Sequence, residues 1–541
     1  MSYKRIGGTL AAVLAVAGAA FAIYATAPEP ICNALEGIGY RPIVPACGLD
    51  REQRKQMQAL DRQVQAVIRE RNAKPATPPR VSRVIQSARD AVDRMTAAAL
   101  PVEVDALKRI AAGETDAGLQ ELEALAANKP AQWLRLAHLA YALRSDKALA
   151  AYEAAAKRHP LAAWDALALS RAYVHTGQVD AARKILADAL AVQPEDAAED
   201  RAVVATALGE VDLLRRDLPA ATQRFRTALA ARQDLADAAG DDPARQEELA
   251  RAHVRLGGAL RTQGDAAAAL AEDRTALVLR QRLADAAPGD NRRQYDLSVS
   301  LERVGDGLRI QGDSANALTR YRKSLAIRAR LATAAPDRGD WQRDLAVSQE
   351  KIGDALSELD DQVEALVAYR ASLKIRERLV AANPHSVALL RDLSVSQDRI
   401  GDMLFITDEL DRALAAYGAS LAIRKRLTAM MPHNPLLQRD MAVSYEKVAN
   451  ILKAKGDIAG AIERNKAGLA IVQQLLAADP TNPMWHRHIA ITLVKLAQLK
   501  GSGVSWSMAA AKWQDLADHG LLLPTHEPAF EGIKALAAAE R

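Results

Sequence analysis

Five prolines, Pro288, Pro336, Pro384, Pro432 and Pro480, follow one another at intervals of 48 residues. A register kept over that distance confines the chain to a stack of like units, because an ordinary globular core has no reason to repeat itself at fixed spacing. The same interval relates Leu249, Leu297, Leu345, Leu393, Met441 and Ile489, and it relates Gly257, Gly305, Gly353 and Gly401. It also relates Tyr321, Tyr369 and Tyr417, and Leu283, Leu331, Leu379, Leu427 and Leu475. A degenerate copy with Asp200, Gly209 and Leu229 in register precedes these, so the array spans 197–500.

Inside one unit the chain is interrupted at Gly312 and Asp313 and again over 336–340. The two stretches between these breaks are each about 20 residues, or about 30 Å as helix. In the first, Leu297, Val304 and Leu308 share a helical face; in the second, Leu318, Tyr321, Leu325 and Leu331 do. Each unit is therefore expected to be a helical hairpin. One hairpin alone cannot stand: its few large apolar side chains contribute about 1.5 to 3 kcal/mol each, against an ordering cost of about 1.5 kcal/mol per residue. Stacking on neighbours is compulsory. That requirement explains why RDLAVSQEKIGD from Arg343 and RDLSVSQDRIGD from Arg391 are near copies of YDLSVSLERVGD from Tyr295 and RDMAVSYEKVAN from Arg439.

The apolar side chains are mostly Ala, Leu and Val, aromatics make up only 4% of residues, and no long alternating β-branched run occurs, so the class is all-α. The 72 Lys and Arg are interspersed with 67 Asp and Glu along the chain. With no concentrated basic patch and no stacking aromatics between basic runs, nucleic acid is excluded as a partner.

The segment 163–196 closely resembles a tetratricopeptide repeat: Leu169 and Tyr173 in a first helix, Gly177 at the turn, Ala182, Leu186 and Ala189 in a second helix, and Pro194 at the end. Ala148, Tyr152, Ala155 and Pro160 give a similar preceding copy. In the longer units Gly305, Gly312, Ala317, Tyr321 and Ser324 fall in the same places, so the 48-residue unit is similar to a lengthened repeat of the kind found in kinesin light chains and in bacterial scaffold arrays. The resemblance implies a right-handed α-solenoid of stacked helical hairpins whose first helices line a concave groove for a protein or peptide partner. It implies that the groove carries Glu302, Arg303, Asp306 and Arg309, then Glu350, Lys351 and Asp354, then Asp398, Arg399 and Asp402, then Glu446, Lys447, Asn450 and Lys453. Read singly, each of these is also accounted for as a solvated helix face with cation and Asp paired three residues apart. Asp306, Asp354 and Asp402 stand where relatives that grip a C-terminal carboxylate use Asn, which argues against a clamp for chaperone tails. Phe405 and Ile406 are the candidate apolar anchor.

Ahead of the array, Lys4 and Arg5 precede residues 6–27, an uncharged stretch that as a helix measures about 33 Å, enough for a bilayer core of about 30 Å. It reads as a signal anchor, with a cleaved signal peptide as the alternative, since Ala25, Thr26 and Ala27 form an A-x-A site. The flanking charges place the array outside the cytoplasm, on a single-pass inner-membrane protein. In an oxidising compartment Cys32 and Cys47, the only cysteines, are expected to pair; in a reducing one they stay free. The layout is then a neck at 28–49, a charged stem helix at 50–72, a Pro-rich linker at 73–80, a helical cap at 81–128, two 34-residue repeats at 129–196, the long array, and a C-terminal cap at 501–541. In the stem, Met57, Leu60, Val64 and Val67 form a short heptad seam, read as packing on the protein itself rather than as a dimer contact.

No GxxxxGK[ST], GxGxxG after a strand, HExxH or GxSxG occurs, and the sequence implies no enzyme activity, no cofactor and no metal. His486 and His488, two residues apart, point to opposite sides of a helix and do not make a ligand pair. The reading is a membrane-anchored interaction scaffold. Its alternatives are the same array released to the periplasm for envelope assembly or secretion, or facing the cytoplasm as a signalling or defence adaptor.

Overall fold

The computed structural model describes residues 51–73, 82–98, 100–128, 132–158, 160–194 and 196–540, which are folded into 23 α-helices with no strand among them. The chain divides after Asp265 into two compact units.

In the first unit, α1 (Arg51–Ala73), α2 (Ser82–Ala98), α3 (Pro101–Ala111) and α4 (Thr115–Asn128) pack beside the shorter pairs α5 (Gln132–Ala142) with α6 (Lys147–Ala156) and α7 (Ala163–His175) with α8 (Val179–Ala191). The longer pair α9 (Ala198–Leu214) and α10 (Leu218–Ala239) follows, then α11 (Pro243–Gln263). Leu60, Val64 and Ile68 of the stem helix are buried in the same core as Val92, Leu107, Tyr152, Leu169 and Leu208. The buried Gln65 fixes α1 to α2, donating to Asp93 at 2.9 Å and to the Arg89 carbonyl at 3.0 Å. The stem seam therefore packs on its own protein.

The second unit opens with α12 (Ala266–Ala286) and continues in hairpins of 20 and 21 residues: α13 (Asn291–Ile310) with α14 (Ser314–Ala334), α15 (Gly339–Glu358) with α16 (Gln362–Ala382), α17 (Val387–Ile406) with α18 (Leu410–Met430), and α19 (Pro435–Ala454) with α20 (Ile458–Ala478). Each second helix also packs on the first helix of the following pair, as the sequence requires of stacked hairpins. The turns are set locally. Gly312 and Gly456 adopt positive φ, and at the same register Asp360 and Asp408 accept it too. The next residue then caps the second helix: Asp313, Asp361 and Asp457 accept from the backbone N–H of Asn316, Glu364 and Gly460. After α21 (Pro483–Ala497), α22 (Trp506–Asp518) and α23 (Glu527–Ala539) close the end, with Trp513 stacked on Phe530 and Leu516 and Ile533 buried beside Ala490.

The assignment to the inner membrane as a single-pass protein is corrected. No helix among the described residues is long and apolar enough to cross a membrane. The long helices carry charged side chains along their length, which hydrocarbon does not tolerate. Residues 6–27, Cys32, Cys47 and 74–80 lie outside the described residues.

Candidate functional site

The repeated stretch acquires its meaning from an arginine in the second helix of each pair. Arg328 is buried, donates from Nη1 to Glu302 at 2.7 Å in its own hairpin, and from the same nitrogen reaches the Asp344 carbonyl at 2.9 Å and Ser348 Oγ at 3.1 Å in the next. Arg376 repeats this with Glu350, the Asp392 carbonyl and Ser396, and Arg424 with Asp398, the Asp440 carbonyl and Ser444. One side chain thus ties two helices of a hairpin to the first helix of its neighbour. Such a charge tolerates burial only because several acceptors surround it. Burial raises the Glu302 pKa above its ordinary range, with Arg328 opposing.

A second ladder runs along the same first helices. Tyr321, Tyr369 and Tyr417 donate to Asp306, Asp354 and Asp402 at 2.8, 2.7 and 2.5 Å. These carboxylates also accept from the following repeat, from Lys351 at 2.5 Å, Arg399 at 3.5 Å and Lys447 at 2.5 Å. Burial, then the neighbouring Asp, pushes the Tyr321 and Tyr369 hydroxyls up, so they remain donors. The rings lie so close to the first helix that a Cβ on Gly305, Gly353 or Gly401 would sit 2.5 to 2.7 Å from a ring carbon. The next copy has Ala449 and Asn465 in these two places; the smaller amide leaves room for the methyl.

The residues expected on the partner groove are therefore engaged largely with one another. Glu302, Asp398 and Glu446 are buried; Glu350, Lys351, Asp354, Arg399, Asp402 and Lys447 hold ion pairs within or between adjacent repeats. Arg303 pairs with Asp273 at 2.8 Å, and Arg309 with Glu358 at 2.6 Å. Asn450 is exposed, and Lys453 donates to Gln498 at 2.9 Å. His488 binds Glu446 at 2.7 Å and His486 the Pro480 carbonyl at 2.8 Å, so the two histidines have separate partners. The buried arginines were missed, although they recur every 48 residues inside SLAIRARL, SLKIRERL and SLAIRKRL, where an exposed cation would be free to vary.

Phe405 and Ile406, at the end of α17, are 41% and 58% exposed. Leu359, Val363 and Val367, at the turn and first turns of the preceding hairpin, are exposed as well, Val363 to 74%. The register that brings Glu358 onto Ser314, at 2.6 Å, carries Ile406 to Gln362, so the two groups neighbour each other. Gln362 Oε1 is buried there without a hydrogen-bond partner.

Hairpins stacked in register, with a glycine under an interlocking tyrosine ring in three successive copies, decide the architecture. The described residues form an array of stacked helical hairpins, an architecture like that of tetratricopeptide-type repeats. No family model matches the sequence, and no curated protein matches it. Among solved structures, the array is similar to a Signal Transduction ATPase with Numerous Domains protein with a tetratricopeptide repeat sensor from Pyrococcus horikoshii, with 13% identity and a TM-score of 0.46 over 80% of this chain and 54% of that one. It is also similar to the apo form of RapI, with 10% identity and a TM-score of 0.41 over 70% and 98% of the two chains. BtubC from P. vanneervenii has 18% identity and a TM-score of 0.38 over 48% and 92%.

Proposed function

We propose that this tetratricopeptide-type array is a non-catalytic scaffold that holds a protein partner, and that Phe405 and Ile406, with Leu359, Val363 and Val367 beside them, form its apolar anchor site. The observation that carries the proposal is this exposed cluster. The equivalent places in the hairpin before hold Gln311, Ala315 and Thr319, and in the hairpin after hold Lys453 and Ala454, so the apolar side chains do not belong to the stacking pattern. An orphaned buried oxygen on Gln362, at a cost of about 1 to 3 kcal/mol, lies beside the cluster. The first-helix residues Arg399, Asn450 and Lys453 supply the polar rim through their solvent-facing edges; Glu302 and Asp398, being buried, serve by holding the rim in place.

The double variant Val363→Asp/Ile406→Asp changes only exposed side chains, so it is expected to keep the helical spectrum and melting temperature of the wild type while losing the proteins that co-purify with it. Quantitative comparison of the two purified complexes is the check. An unchanged set of bound proteins would sink the assignment.

A further inference from the structure

A groove of about 620 Å³ lies between the second helices α12 and α14, with Leu277, Val304 and Leu308 as its apolar floor and Val278, half exposed, on its wall. Arg274, Arg282 and Arg320 stand around it. Among the described residues none of these three has a carboxylate within ion-pair distance, whereas the neighbouring Arg303, Arg309, Arg328 and Arg343 each have one. The one acid on the rim, Asp313, is committed to capping α14, where it accepts from the Asn316 backbone and from its side-chain amide at 2.8 Å. Helix α14 carries five cationic side chains and no acid. Three of them, Arg320, Arg322 and Lys323, are not used in the ladders.

The groove is also a departure from the repeat. Where it has Asn316 the following copies have Glu364 and Arg412; where it has Arg320 they have Ala368 and Ala416; where it has Val278 they have Ala326, Lys374 and Ala422. Arg274 and Arg282 recur in the next copy as Arg322 and Arg330, whereas Arg320 stands where Ala368 and Ala416 are buried in the core, so the groove opens where a cation replaces a packed alanine. Arg274 shares the rim with Asp313, whose carboxyl feels its charge, while Arg282 and Arg320 have no acid beside them on the rim; an apolar slot of this size with guanidinium groups around it fits a short segment bearing apolar side chains flanked by carboxylates. Nothing aromatic lines it to stack a base, and its apolar floor is recessed rather than presented to a lipid surface. Resting on the scaffold reading above but at a separate surface, we propose that this groove binds an acidic, leucine-containing segment of a protein partner, with Arg274, Arg282 and Arg320 receiving the carboxylates.

The test titrates the full chain with a fluorescein-labelled peptide of repeated Glu-Glu-Leu triplets and follows anisotropy. The peptide is expected to bind in the micromolar range, to weaken as salt is raised, and to weaken further when its leucines are replaced by serine. The variant Arg274→Ala/Arg282→Ala/Arg320→Ala should lose at least about thirtyfold in affinity, since charge-assisted contacts are the strong ones. The charge-matched control Arg370→Ala/Lys374→Ala/Arg378→Ala should lose less than about threefold, because it removes exposed cations away from the groove. Equal losses in both variants, no binding at millimolar peptide, or tighter binding of single-stranded DNA or phosphatidylserine vesicles would overturn the proposal. Peptide binding lost while Val363→Asp/Ile406→Asp still strips the co-purifying proteins would remove the groove alone; the reverse pair of results would remove the apolar anchor alone.

Discussion

At one register the same acid meets two opposite fates. Glu302, inside the array, has one buried cation and two hydroxyls as partners, and burial holds its pKa up. Glu446, three copies later, is equally buried, which alone would raise it. There His488 at 2.7 Å, Thr492 at 2.7 Å and Lys495 at 2.6 Å converge on the carboxylate and bring it down to about 2. The cause is the end of the series: the place of Arg328, Arg376 and Arg424 is taken by Val472, and the charge is neutralised from the following helix instead. A folded pKa below the unfolded value of 4.5 means that ionised Glu446 stabilises the fold above pH 4.5 and that this contribution disappears as pH falls toward 2. Its size is about 3 kcal/mol. Glu446→Gln should therefore melt well below the wild type near neutrality and alongside it near pH 2. Parallel melting curves at every pH would show that Glu446 does not carry the acid sensitivity.

Between elements, the buried arginines act as staples whose quality varies from copy to copy. Arg328 Nε donates to Ser298 and Arg424 Nε to Ser394, each at 3.3 Å. The intervening copy has Ala346 at that place, and Arg376 Nε is buried without an acceptor. Ala346→Ser supplies the hydroxyl that both flanking copies already accommodate. We expect it to raise stability by about 1 kcal/mol, the net worth of one intramolecular hydrogen bond, visible as a shift of the denaturant midpoint with no change in slope. A midpoint that stays put would mean that the Nε finds its partner elsewhere. The sequence carried a trace of this feature, since Ser298 and Ser394 alternate with Ala250, Ala346 and Ala442, but a Ser or Ala on an apolar helix face reads equally well as filler.

For the array as a whole, the staple and ladder contacts between repeats join residues whose counterparts lie one period away. Removing 344–391 places Arg328 against the Asp392 carbonyl and Ser396 and Tyr295 against Asp392, as before, and Asp306 against Arg399 in place of Lys351, while Arg309 and Ser314 exchange Glu358 for Ile406. That excision should leave a shorter array with unchanged helicity per residue, whereas removing 344–367 joins a first helix to half of a second one and should unfold the region. Circular dichroism and melting of the two deletions decide it: equal loss of structure in both would contradict stacking by nearest neighbours.

The 48-residue period, the paired helices and the all-α class were legible in the chain, because the turn residues, the apolar faces and the need to bury them are local properties that recur visibly. The glycines and tyrosines were also legible as a series, though not as partners. Which charges face solvent was not. Lys351 and Asp354 sit three residues apart on one helix and read as a local pair, yet Lys351 binds Asp306 of the repeat before and Asp354 receives Arg399 of the repeat after. A helix places the same side chains within reach of its own neighbours and of the next helix, and only the packed distance between stacked hairpins decides between them. The same distance buries Glu302 beside Arg328 and leaves Val363, Ile406 and the rim of Arg274, Arg282 and Arg320 facing water. Those solvent-facing groups are the ones on which the two proposed partner sites rest.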